Sequence, residues 1–228
     1  MRVLSLLRRH LDILILAAIG VLLMTLPQID LAVSGFFYDS EHGFYLRPLL
    51  IVRFFYSLVW WVSAAVLVAT LGYLIASWTI YRNRETVVRG RRTAVYLLLV
   101  MLIGPGLLVN AVFKDHWGRA RPSQVTQFGG GQQFTPAAIP ADQCPKNCSF
   151  VSGHASVGFY FLALAFVLPR RRRLWLTLGT AFGLGIGLVR IVQGGHFFSD
   201  VVFAGIIVYL TALVLHARMF PTQQTSPT

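Results

Sequence analysis

The chain has 228 residues, of which 56% are hydrophobic and only 12% charged, yet Lys and Arg outnumber Asp and Glu by 20 to 8. A soluble domain carries about a quarter of its residues as charges, and a disordered or nucleic-acid-binding basic chain is poor in apolar side chains. Composition excludes both and points to a bilayer, where a net charge of +12 speaks through position, because Lys and Arg collect in cytoplasmic loops.

Apolar runs able to cross about 30 Å of hydrocarbon fall near 12–29, 54–80, 93–113, 151–168, 174–190 and 200–217. They predict an all-α, polytopic membrane protein with six transmembrane helices. The first run follows Arg8 and Arg9, as a secretory signal would, but Met24 to Gln28 contains no small-x-small cleavage site, so it reads as an uncleaved anchor. In the second, Trp60, Trp61, Trp78 and Tyr81 lie towards the ends, as interfacial aromatics do. Gly104-Pro105-Gly106 should kink the third. In the fifth, Gly179, Gly183 and Gly187 recur every four residues and mark a closely packed helix face.

The last two runs need separating. Leu174 to His216 is 43 residues with Arg190 and Asp200 as its charged residues; one helix of that length would measure about 65 Å, twice the hydrocarbon thickness. The break belongs at Arg190 to Asp200, where Gly194-Gly195 interrupts the helix.

Thirteen basic residues share one side of this arrangement: Arg2, Arg8, Arg9, Arg82, Arg84, Arg89, Arg91, Arg92, Arg170 to Arg173 and Arg218. Seven remain opposite, so both termini are expected in the cytoplasm. Residues 1–228 read as a single membrane domain, with 221–228 a disordered polar tail.

Ionisable residues at a membrane boundary are costly and therefore informative. Three clusters occur, Lys114 to Pro122, Ser152-Gly153-His154 and Arg190 to Asp200, and the span count puts all three on the extracytoplasmic face. Lys114, Arg121 and Arg190 converge as cations and demand a multiply charged anion, for which Arg offers bidentate pairing. Ser152-Gly153-His154 opens a helix whose free N–H groups add an anion site, so phosphate fits best. His196 and Asp200 are four apart, letting Asp200 orient the imidazole and leave its other nitrogen as a nucleophile. His154 is then available as general acid and base. His116, Arg119 and Asp115 fit either substrate contact or loop structure, and His10, His42 and His216 read as interfacial. Cys144 and Cys148 could pair as a disulfide, stay as free thiols, or, with two further ligands, hold metal. Gly129 to Gly131 lacks the residues of a phosphate loop and reads as a flexible loop, or alternatively a substrate lid.

The spacing of Lys114, Arg121-Pro122, Ser152-Gly153-His154, Arg190, His196 and Asp200 resembles the three-part signature of the type 2 phosphatidic acid phosphatase superfamily, over a core of about residues 93–217. The resemblance implies a six-helix membrane core, phosphate binding by Lys114, Arg121, Ser152, Gly153 and Arg190, a nucleophile at His196, an acid/base at His154 and an orienting carboxylate at Asp200. It also implies no divalent metal and no cofactor. The chain departs from the pattern at Val151 and Val189, where the family often has Pro and Ser.

Phe128-Gly129-Gly130, Phe134-Thr135-Pro136 and the stretch Asn147 to His154 look similar to lipid A phosphatases, particularly of the 4′ type. The expected activity is hydrolysis of a membrane lipid phosphomonoester or diphosphate at the outer leaflet of a bacterial inner membrane, lipid A favoured. Alternative substrates are undecaprenyl diphosphate, phosphatidylglycerophosphate and phosphatidic acid. A vanadium haloperoxidase or a non-hydrolytic lipid transporter fits less well, since anion binding alone needs no His154, His196 or Asp200. Nucleic acid is not an expected partner, and oligomeric state is not encoded in any motif.

Overall fold

A computed structural model describes residues 11–79 and 85–221. Arg2, Arg8, Arg9, His10, Tyr81, Arg82, Arg84 and the 221–228 tail beyond Pro221 lie outside the described residues. Within them the chain is helical, with isolated bridges Asp39–Gly43 and Val125–Gln132 in place of strands.

Helix α1 (Leu11–Thr25) and helix α2 (Gln28–Gly35) are bent by 80° at Pro27, which is preset for a helix start and ends the one before it. Helix α3 is Leu50–Thr79. Helix α4 begins as Glu85–Met101, widens into a π-helix over Leu102–Phe113 and closes with Lys114–His116. The Gly104-Pro105-Gly106 stretch lies in this π-segment: Pro105 has no N–H to donate, and the Asn110 amide donates to the Pro105 carbonyl at 2.7 Å. Gly90–His116 nevertheless runs on as a single apolar helix, so the expected kink takes the form of altered winding.

Helix α5 is the short helical run Gly153–Val167, helix α6 is Arg172–Val192 and helix α7 is Phe198–Met219. The break between α6 and α7 falls where the sequence required it. Four helices, α3, α4, α6 and α7, are long and apolar enough to cross a membrane, or five if α1 and α2 count as one span. At 15 residues α5 extends only about 22 Å, less than the hydrocarbon thickness.

Helix α5 sits at the centre. Gly158 and Gly183 meet so closely that a Cβ at Gly158 would lie 2.8 Å from the Gly183 Cα, and a Cβ at Gly179, Gly183 or Gly187 would run into Leu162, Phe159 or Val201, so the four-residue glycine spacing of α6 marks a closely packed face. One core forms between the α4–α5 loop, α5 and α7 (Phe150, Val151, Phe159, Val201, Ala204) and a second around Tyr96, Val100, Tyr160 and Ile186. Tyr96 donates to Ala212 O at 3.1 Å and Tyr160 to Leu97 O at 3.2 Å, pinning α4 to α7 and α5. The glycine run after Phe128 is a hydrogen-bonded turn (Gly130 N to Val125 O, 3.0 Å; Gln132 N to Gln124 O, 2.8 Å), with Phe128 packed on Tyr38 and Phe44. It is therefore folded against the α2–α3 loop, not free.

Candidate active site

The C-terminal ends of α4 and α6 and the N-terminal ends of α5 and α7 carry the three ionisable clusters, and tertiary packing brings them together. His196 is fully buried in the loop before α7. Its Nδ1 lies 2.7 Å from the carbonyl oxygen of Ser149. A carbonyl only accepts, so Nδ1 carries the proton and, in the neutral ring, Nε2 keeps its lone pair. That Nε2 is buried and has no hydrogen-bond partner among the described residues. Burial, reinforced by the Arg190 charge and opposed by Asp200, pushes His196 down to about 4; the ring is neutral at neutral pH.

Asp200 occupies a different place from the one its spacing implied. Its Oδ2 is 3.8 Å from His196 Nδ1, beyond hydrogen-bond length, and instead accepts from the Ser149 hydroxyl at 2.6 Å and the Phe197 N–H at 2.8 Å. Asp200 therefore fixes the Ser149 segment whose carbonyl orients the imidazole, and adds its charge at close range.

The other oxygen, Asp200 Oδ1, pairs with Arg119 Nη1 at 2.6 Å. Arg119 is fully buried and also bonds Asp30 Oδ2 at 2.8 Å, Ser199 Oγ at 2.9 Å and Thr135 O at 2.9 Å, with its guanidinium 4.4 Å from the Phe197 ring. Burial opposes its charge, but Asp200 and Asp30 outweigh this and hold it above the ordinary arginine range. Asp30, from α2, accepts the Ser199 N–H at 2.8 Å and its hydroxyl at 2.5 Å. Of the two readings open for Arg119, the structure has the structural one, in the form of a buried clamp from α2 to α7.

Ser152 caps α5, its Oγ accepting from Ala155 N at 3.4 Å, while its own N–H donates to Asp200 O at 3.1 Å. Its first-turn amides stay available to an anion. His154 follows one position into the helix with a buried Nε2 that has no partner among the described residues. The ring is stacked on Tyr56 of α3, centroids 4.4 Å apart, and the Arg190 guanidinium sits 4.8 Å from the same Tyr56 ring. Tyr56 thus supports the two groups together. Arg190 is further held by the Gln193 side chain.

Arg121 donates to Asn147 O at 2.7 Å and Oδ1 at 3.1 Å. Asn147 lies in the loop where Cys144 and Cys148 are bonded to each other. Asp115 supports the same loop, accepting from Asn147 N at 3.2 Å, and Lys114 O accepts from Cys148 N at 2.8 Å. Burial, with a contribution from Arg47, holds the Arg121 guanidinium below the ordinary arginine range. A cavity of about 240 Å³ is lined by Arg121, Arg190, Arg47, Tyr56 and Gly195, and an apolar one of about 260 Å³ between α3, α4 and α5 carries Lys114 and His154.

All eight catalytic and phosphate-binding candidates thus lie in this one region. His116 lies apart, exposed, with Nδ1 3.0 Å from Val112 O; His42 pairs with Asp39 at 3.1 Å, and His216 packs among Tyr96, Phe166 and Phe220. Among the described residues no three His, Cys, Asp or Glu side chains are grouped to hold a metal ion. Asp30, Ser149 and Tyr56 stand in no motif whose spacing points to them. The signal for Asp30 is that it is the one charged residue between Asp12 and Asp39, in an otherwise apolar stretch.

A helical, apolar scaffold that sets two histidines with unpartnered Nε2 atoms beside a cluster of cations is the class of protein that the fold and site define. Residues 93–223 match the PAP2 superfamily, and the chain belongs to that superfamily. It is 39% identical over 197 residues, 85% of this chain and 87% of the relative, to a lipid A 4′-phosphatase of Francisella tularensis subsp. novicida. It is 42% identical over 120 residues to a lipid A 4′-phosphatase of Rhizobium leguminosarum, covering 52% of this chain and 50% of that one. With a lipid A 1-phosphatase of Rhizobium etli it shares 34% over 137 residues, 55% of each chain. No solved structure gives a significant match.

Proposed function

We propose that this chain is a phosphatase acting on lipid A at the extracytoplasmic leaflet of a bacterial inner membrane, through a phosphohistidine on His196. The observation that carries the reading is the buried, unpartnered Nε2 of His196, its tautomer set by Ser149 O at 2.7 Å. The relatives named as lipid A 4′-phosphatases, one of them similar over 85% of this chain, favour lipid A as the substrate. The thirteen basic residues favour six spans with both termini cytoplasmic and the site outside.

In the first step Nε2 of His196 attacks phosphorus and the bond to the lipid oxygen breaks, while His154 gives that oxygen a proton. Lys114, Arg121, Arg190 and the first amides of α5 take up charge on the non-bridging oxygens. In the second step His154 removes a proton from water, which attacks the phosphohistidine and releases inorganic phosphate with His196 restored. Each step uses side chains and backbone amides of this chain together with water, without metal or cofactor.

The test is phosphate release from lipid A by the purified protein. The wild type releases it, orthovanadate inhibits, and His196→Ala abolishes release. Full activity of His196→Ala would remove the nucleophile; hydrolysis of phosphatidic acid or undecaprenyl diphosphate but not lipid A would reassign the substrate.

A further inference from the structure

The arginine-lined cavity does not end at the catalytic cations. Arg47, Ser123 and Gln193 also line a second cavity of about 480 Å³, continuing between the α2–α3 loop, the start of α3 and the Phe128 turn, where Arg53 and His42 join the wall. No carboxylate lines either cavity. Asp39, beside His42, is already engaged by the N–H groups of Glu41 (2.8 Å) and His42 (3.0 Å) and by the His42 ring.

Arg47 and Arg53 are exposed, in the turn before α3 and in its first helical turn. Neither has a carboxylate partner within 4.0 Å among the described residues. The Arg47 charge acts on both Arg121 and Arg190. With Lys114 the three catalytic cations already outnumber the charges of one phosphate dianion, so Arg47 and Arg53 are positive charge in excess of what hydrolysis of one phosphate requires. Cations this close repel one another unless another anion joins them.

We propose that the cavity between Arg47 and Arg53 is a second anion subsite that holds another phosphate of the same lipid while the first is hydrolysed at His196. The proposal rests on the lipid A reading: relatives named for the 4′- and the 1-phosphate of lipid A imply a lipid with two. Arg47 bridges the two cavities, so the scissile and the retained phosphate are gripped across one continuous cationic wall. The retained phosphate contributes affinity and selects the bisphosphorylated form.

The experiment compares KM for lipid A carrying both phosphates with KM for lipid A carrying only the scissile one, in neutral-detergent micelles. The wild type is expected to prefer the bisphosphorylated lipid by about tenfold or more, the worth of a hydrogen bond to a charged group. Arg53→Gln and Arg47→Gln should each reduce that ratio towards one. A wild-type ratio of one, or variants that raise both KM values equally, would overturn the subsite. A ratio that vanishes when phosphatidylglycerol is added to the micelles at equal concentration would assign the cavity to neighbouring lipid headgroups and likewise overturn it. If the wild type hydrolyses neither lipid, the phosphatase reading itself fails.

Discussion

Arg119 and Asp30 are paired at 2.8 Å, with side chains 0% and 1% exposed, although 89 residues separate them. Through the other guanidinium nitrogen the pair reaches Asp200, so two buried carboxylates, from α2 and α7, share one buried cation. Removing it by Arg119→Ala leaves both uncompensated, at a cost of about 3–5 kcal/mol. The expected outcome is a protein that unfolds at clearly lower temperature in detergent. Asp30→Asn keeps an acceptor for Ser199 and should lower kcat more than it changes KM. Wild-type melting and kcat in both variants would dismiss the clamp.

The buried His196 sets a pH dependence of stability. Its folded pKa of about 4 lies below the 6.5 of the free side chain, so between these values the unfolded chain binds the proton and the folded protein does not. Stability is therefore full above pH 6.5 and falls as pH drops towards 4, by roughly 3 kcal/mol from this residue. Melting temperatures at pH 7 and pH 4.5 should differ more for the wild type than for His196→Gln. Equal differences would mean that His196 does not titrate as its burial requires.

Gly195 tests the placement of Arg190. A Cβ at this position would overlap the Arg190 guanidinium, and no left-handed backbone is involved. Gly195→Ala should therefore displace the cation and lower kcat/KM by about a hundredfold, the scale of losing one preorganised charge contact, with the melting temperature little changed. Wild-type turnover would show that Arg190 need not occupy this position.

Tyr56 should be replaceable by an aromatic ring only. Stacked on His154 at 4.4 Å and facing Arg190 at 4.8 Å, it acts through its π-face. Tyr56→Phe should retain most activity, whereas Tyr56→Leu should lose about fivefold to thirtyfold, the worth of a partly desolvated cation–π contact. Steady-state phosphate release separates the two; equal rates would assign the stack no role.

Most of the candidate site is legible in the sequence because charged residues are rare in an apolar chain and local spacing constrains what they share. Lys114 and Arg121 leave one helix together, Ser152 to His154 open another, and Arg190 to Asp200 break a stretch too long to be one span. Spacing also misled: His196 and Asp200 lie four apart, yet one belongs to the loop and the other to the first turn of α7. The imidazole bonds Ser149 O, 47 residues away, and Asp200 turns to Arg119. The apolar run 151–168 likewise forms a helix of only 15 residues, Gly153–Val167, shorter than a straight span through about 30 Å of hydrocarbon.

The sequence by itself determined the membrane character, the order of the helices and which ionisable residues are candidates for the site, since composition and local periodicity carry that information. Only the tertiary structure decided which buried charges compensate one another. Asp30, Arg119 and Tyr56 act through partners 89, 81 and 98 residues away, and pairing at such separation is set by how helices pack, because a buried charge must find its counterion wherever packing places it.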